Sequence, residues 1–236
     1  MATDRSAADA LSRLPDPRAV IFDLDGTLVD TVETRIEAWT RTFEEIGIRP
    51  DRRQVAELIG ADGKRLAREV AERAGRTLSD EEAEQIDRRS GELYDRLNTD
   101  PKPLPGAREL LVALEESKLR WAIATSSRKE QVKTSVEALH LPKPPTIVDG
   151  SHVEHAKPAP DLLLQTAERL RTSPAECWYA GDATWDMLAA RAAGMIGIGV
   201  TTGAVDAAAL VRTGAAAAIT SLNELTAELR RRDLIR

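Results

Sequence analysis

The spacing of apolar positions changes twice along this chain. Residues 19–24 (Ala-Val-Ile-Phe-Asp-Leu) form a short, nearly continuous apolar run bounded by Pro17 and Gly26, which predicts a buried strand. From Asp30 to about Asn98 only helical spacings occur. Asp30 with Glu33 resembles a capping box, and Ile36, Trp39, Phe43 and Ile46 make an apolar stripe that ends at Gly47. Segments 52–59 and 64–74 predict two shorter amphipathic helices, divided at Gly60 to Gly63, and Ser79 with Glu82 starts another that runs to about Leu97. The run Asp100-Pro101-Lys102-Pro103-Leu104-Pro105-Gly106 is a strong breaker. After it the pattern alternates. Helices over 106–117, 128–139, 160–171, 184–193 and 205–213 lead to strands at 119–124, 146–148, 177–180, 195–200 and 215–219, and a last helix covers 221–230. Such alternation implies a parallel sheet covered by helices on both faces. The expected organisation is a loose arm over 1–17, an α/β core of 18–30 plus 101–236, and an all-helical insert over 31–100.

Composition narrows the function classes. The chain has 236 residues, 42% hydrophobic and 31% charged, with a formal net charge of −6. That balance argues against a general nucleic-acid or anionic-membrane surface. Cys177 is the only cysteine, so neither an intrachain disulfide nor a cysteine metal cluster forms, which suits a reducing cytoplasm. Residues 1–18 carry Asp4, Arg5, Asp9, Arg13 and Asp16 rather than a signal-peptide core, and no apolar run is long enough to span a bilayer. The expected partner is a small molecule, and the expected state a monomer or weak dimer.

Four places at predicted strand ends carry groups that could converge. Asp23 and Asp25 follow the first strand; residues i and i+2 of a strand share one side, about 6.5–7 Å apart. Two carboxylates there repel unless a cation, a shared proton or a division of labour separates them. Thr125-Ser126-Ser127 follows the strand at 119–124, with hydroxyls and helix-start N–H groups that suit an anionic oxygen. Lys157-Pro158 precedes a proline-marked helix start. Gly181-Asp182 follows the strand at 177–180, and an early helix start would put Asp182 and Asp186 one turn apart on one face. Carboxylates from two strand ends make a hard-oxygen site that suits Mg²⁺. A lysine and a hydroxyl beside it suit a phosphoryl group. Each piece alone is an ordinary turn or cap; their joint order along the chain carries the signal. His152 and His155 read as surface histidines, Cys177 as inert core, and Trp185 as packing between core and insert.

These residues resemble the haloacid-dehalogenase-like superfamily. Asp23-Leu24-Asp25-Gly26-Thr27-Leu28 resembles its first motif, Thr125-Ser126 its second, Lys157-Pro158 its third, and Gly181-Asp182 with Asp186 its fourth. The helical insert is similar to the small α-helical cap of the phosphoglycolate phosphatase and β-phosphoglucomutase branch. The resemblance implies a Rossmann-like, doubly wound α/β core with an inserted all-α cap. It implies a phosphatase in which Asp23 attacks phosphorus and Asp25 shuttles the proton. Asp23, Asp25 (through its carbonyl) and Asp182 would hold Mg²⁺, with Asp186 behind them or bound through water. Thr125, Ser126 and Lys157 would bind phosphoryl oxygens. Asp25 favours phosphate esters over the dehalogenase and phosphonatase branches. Arg35 stands where the mutase branch has histidine. Gly60 and Lys64, in the loop between cap helices, and Arg35 or Arg53 would face the substrate. The rival expectations are a phosphosugar mutase and a catalytically silent phosphometabolite-binding protein.

Overall fold

The computed structural model describes residues 2–236. Six parallel strands form one sheet in the order β5-β4-β1-β6-β7-β8: β1 (Ala19–Phe22), β4 (Arg120–Ala124), β5 (Ile147–Val148), β6 (Cys177–Gly181), β7 (Ile196–Val200) and β8 (Ala217–Ile219). The doubly wound parallel sheet read from the alternating pattern is thus the fold observed. β1 is central because it has nothing polar to expose: all four residues are buried. It pairs Phe22 with Ile123 on one side and with Ala180 on the other, so the strands that precede Asp23, Thr125 and Asp182 end side by side.

The pleat sends alternate side chains to opposite faces. Val20, Phe22, Ile123, Trp178 and Ala180 meet α6 (Ala107–Glu115) and α11 (Leu222–Arg231) through Leu110, Leu111, Leu225 and Leu229. Ala19, Ile21 and Tyr179 meet α8 (Asp161–Arg169) and α9 (Thr184–Ala193) through Leu163, Ala167, Ala189 and Ala190. Helix α1 (Ala2–Ser12) differs from the loose arm expected over 1–17, whose first residue lies outside the described ones. Ala7 and Leu11 are buried in the core, and Arg232, stacked on Trp178, donates to the Leu11 and Leu14 carbonyls. A short apolar spacing within a charged segment hid this helix from the sequence pattern.

Between the first and second sheet strands lies a helical unit, here called the cap: α2 (Val32–Glu45), α3 (Arg52–Leu58), α4 (Gly63–Arg73) and α5 (Asp80–Leu97). It has its own apolar cluster around Trp39, Phe43, Val55, Leu66, Val70 and Ile86. Ser79 and Glu82 form the expected capping box at α5. Asp30 does not cap α2. It lies in the two-residue strand β2 (Val29–Asp30), which pairs antiparallel with β3 (Lys102–Pro103), so the helix begins after Thr31. No helix is long and apolar enough to cross a membrane among the described residues.

Candidate active site

The core side of the cleft is built at the carboxyl ends of β1, β4 and β6. The Asp23 amide donates to the Ala180 carbonyl at 2.9 Å, which fixes the start of the turn after β1. β1 ends at Phe22, so Asp25 lies in that turn and not on the strand, and the pleat does not set the geometry of the pair. The turn closes through Gly26, whose φ of +79° suits a residue without a Cβ. Any Cβ there would sit 2.4 Å from Asp182 Oδ2. Gly203, from the loop after β7, is equally close-set: a Cβ would lie 2.0 Å from the same oxygen. The Asp182 carboxylate is therefore cradled by bare backbone and held by the Thr27 hydroxyl, which donates to Oδ1 at 2.8 Å.

Lys157 is buried and bridges two carboxylates, with Nζ 2.6 Å from Asp23 Oδ1 and 2.7 Å from Asp186 Oδ1. The Tyr179 hydroxyl accepts from Lys157 at 3.1 Å and donates to Asp186 at 2.7 Å. Asp186 Oδ2 accepts the Ala183 amide at 2.9 Å, so both of its oxygens are engaged by the protein. Helix α9 starts at Thr184, which puts Asp182 before the helix; the two acids do not share a helix face but converge from loop and first turn. Asp23, Asp182 and Asp186 offer oxygens all within 4.8 Å of one another, and Asp25 is not in that group. Three carboxylates face one ammonium. Burial, with Asp186 and Asp25 adding repulsion, pushes Asp23 up to about 7 although Lys157 pulls it down. Burial, Asp186 and Asp23 push Asp182 well above the usual carboxylate range. Lys157 is raised by Asp186 and Asp23 against the effect of burial, and stays charged. A hard divalent cation fits this all-oxygen, charge-deficient set.

The Thr125 Oγ1 accepts the Ser127 amide at 3.1 Å, which leaves its own proton free to donate. Ser126 Oγ donates to the Gly60 carbonyl at 3.2 Å, and the Asp62 amide to the Lys157 carbonyl at 2.8 Å, so the α3–α4 loop is tied to the core. Trp185 adds a third tie: its indole N–H donates to the Glu57 carbonyl and Arg65 stacks on its ring.

Asp25 faces the cap. Its Oδ1 accepts from Thr31 at 2.7 Å and Tyr94 at 3.0 Å, and its Oδ2 from Ser127 at 2.7 Å and Arg35 at 2.9 Å. Burial alone would raise this acid, but Arg35 and the hydroxyls of Ser127 and Thr31 hold it below the usual carboxylate range. Arg35 also reaches Ser127 at 2.6 Å and lies 3.4 Å over the Tyr94 ring. Arg35 lines the cleft, where its Nη groups bond to Asp25, Ser127 and Gln131. Trp39, Ile59, Gly60, Leu66, Asp87 and Gly91 complete the cap side of the cleft. Lys64 lines the outer seam instead, and Arg53 is exposed on α3. Gly91, mid-helix in α5, costs about 1 kcal/mol against alanine. A Cβ there would lie 2.1 Å from Gln131 Nε2, so a larger residue would require that side-chain end to shift.

Sequence reasoning missed Thr27, Thr31, Tyr94, Asp87, Gln131 and Tyr179. One signal was available. The chain has only two tyrosines, and both hydroxyls bond to carboxylates of this cleft. His152 and His155 stay outside it, next to Asp149 and Asp161.

A family model described as haloacid dehalogenase-like hydrolase matches residues 20–200. The chain is 31% identical over 195 residues to β-phosphoglucomutase of Bacillus subtilis (strain 168), covering 79% of this chain and 84% of that relative. It is 30% identical over 185 residues to fructose-1-phosphate phosphatase of Escherichia coli (strain K12), covering 77% of this chain and 95% of the other. The crystal structure of a hydrolase from Pseudomonas syringae matches with a TM-score of 0.86 and 34% identity, covering 90% of this chain and 98% of that one.

Proposed function

Because this chain belongs to the haloacid dehalogenase-like hydrolase family, we propose that it is a Mg²⁺-dependent phosphatase acting on a small phosphorylated metabolite through an aspartyl-phosphate on Asp23. The observation that carries this reading is the buried Lys157 bridge between Asp23 and Asp186, set among three carboxylates at adjoining strand ends.

Asp23 attacks phosphorus with a carboxylate oxygen while Lys157 offsets charge on the equatorial oxygens. The Thr125 hydroxyl, already oriented by the Ser127 amide, donates to one of those oxygens. Asp23, Asp182 and the main-chain carbonyl of Asp25 would hold Mg²⁺, and Asp186 fixes Lys157. When bound, the ion neutralises and orients the phosphoryl oxygens. Asp25 protonates the leaving oxygen and then takes a proton from the water that cleaves the aspartyl-phosphate. Its four donors favour the carboxylate, which is the form the second step needs, and disfavour the protonated form that the first step uses. Substitution Asp23→Asn is expected to lower Mg²⁺-dependent phosphate release from p-nitrophenyl phosphate by about 10³-fold or more. Full activity in that variant would sink the mechanism.

The likeness to β-phosphoglucomutase favours one second reading, a phosphosugar mutase. Incubation with a phosphosugar followed by ³¹P NMR separates the two: isomer without free phosphate is the mutase outcome.

A further inference from the structure

The cleft between core and cap has a charge pattern that bears on the leaving group. Among the described residues, its lining includes two cations, Arg35 and Lys157, and both are already paired within the protein. A third, Arg128 at the cleft edge, donates to Asp87 Oδ2 at 2.6 Å and lies 2.9 Å from Glu84. The inner cleft therefore presents no unpaired cation among the described residues, Lys64 lying in the outer cavity. It presents a carboxylate instead. Asp87 projects from α5, and its Oδ1 accepts no hydrogen bond from the described residues. α4 opens with a glycine beside it: a Cβ at Gly63 would lie 1.9 Å from Oδ1, so a larger residue there would require the carboxylate to shift.

The cleft is small, about 60 Å³, and Asp87, Ser126, Gln131 and Gly63 are shared with an outer cavity of about 250 Å³. A leaving group longer than a few atoms must pass Asp87. Beyond it the wall carries Asp62, Glu84 and Glu154 against Lys64 and Arg128. A second phosphate or a carboxylate on that path would meet Asp87 first and find Arg128 already bound, with Lys64 lying beyond in the outer cavity. Hydroxyl or ammonium donors would meet an open acceptor. Specificity of this kind arises as much from repulsion of the wrong ligand as from attraction of the right one.

We propose that Asp87 is a specificity-determining residue, selecting phosphate monoesters whose leaving group presents hydrogen-bond donors and no second anion. This rests on the phosphatase reading above.

The test compares kcat/KM, with Mg²⁺, for p-nitrophenyl phosphate, sorbitol 6-phosphate and phosphoglycolate. Wild-type protein should prefer the polyol ester to phosphoglycolate by about tenfold or more, the effect of one such hydrogen bond gained or lost. Asp87→Asn removes the carboxylate from the path and leaves Arg128 with Glu84 as its one ion-pair partner among the described residues, and should move that ratio at least tenfold toward phosphoglycolate. Arg128→Gln leaves Asp87 unopposed and should move it the other way. Opposite shifts are a result that damage to folding does not produce, and Arg128→Gln carries the test if Asp87→Asn does not fold. Parallel losses on both natural esters, or a wild-type preference for phosphoglycolate while the aryl ester is hydrolysed, overturn the role of Asp87 alone. Failure to hydrolyse any of the three esters overturns the phosphatase reading, and this inference with it.

Discussion

The two walls of the cleft treat charge in opposite ways. On the core wall, three carboxylates surround one lysine, and Asp23 and Asp182 are pushed upward in pKa. On the side that faces the cap, carboxylates have guanidinium partners: Arg35 holds Asp25 down, and Arg128 pairs with Asp87, which burial nonetheless pushes up. The core wall thus has more carboxylates than cations and is compatible with a divalent metal, whereas Asp25 and Asp87 already have guanidinium partners. Chemistry that needs charge belongs to the first, and discrimination that needs shape and polarity belongs to the second.

The most damaging way to break this contrast is Lys157→Met. It removes the ammonium and leaves Asp23 and Asp186 buried together. Loss of one partner of a buried ion pair typically costs 3–5 kcal/mol, so a fall of about that size in metal-free urea denaturation is expected, partly recovered by Mg²⁺. A variant as stable as wild type without metal would mean that the core wall is not short of positive charge.

Arg35→Met tests the other wall. Asp25 would keep Thr31, Tyr94 and Ser127 but lose its cation. Hydrogen bonds to charged groups are worth about 1.5–3 kcal/mol, so kcat on p-nitrophenyl phosphate should fall about 10- to 100-fold. An unchanged kcat would show that Arg35 does nothing for Asp25.

The smallest effect sharpens the contrast through pH. Asp23 is raised in the folded, metal-free protein to about 7 from 3.8. Between those values the folded state holds a proton that the unfolded state has released, so this group's contribution to stability falls as pH rises from about 4 to 7. On the Mg²⁺-dependent reading proposed above, the ion would take the place of that proton. The Tm gained on adding Mg²⁺ should therefore be a few degrees larger at pH 8 than at pH 5. An equal or smaller gain at pH 8 would count against Asp23 as a metal-linked group.

The sheet was legible because its strands are apolar runs with breakers at each end, and burial on both faces leaves such a strand few alternatives. The core wall was legible for a related reason: its groups sit at fixed offsets after strands, as Asp23, Thr125 and Asp182 do. The cap wall was not. Tyr94 and Asp87 lie within a helix whose apolar and polar positions looked like any amphipathic surface, and only packing of α5 against α7 (Lys129–Ala138) and α2 brings them to Asp25 and Arg128. Arg35 was visible as a position but not as an ion pair. The N-terminal helix was missed because Ala7 and Leu11, buried among its described side chains, make too short an apolar stripe to read in a charged segment.

The short ribbon of β2 and β3 has a consequence for engineering. The chain leaves the core at Asp30 and returns at Lys102, and these two residues face each other as an antiparallel pair. The cap's ends are therefore as close as those of a hairpin. Replacing residues 31–101 by an Asn-Gly turn should reconnect the strands without stretching either one. The sheet could then be produced as a trimmed scaffold, onto which a helical insert of different lining is grafted at the same two residues.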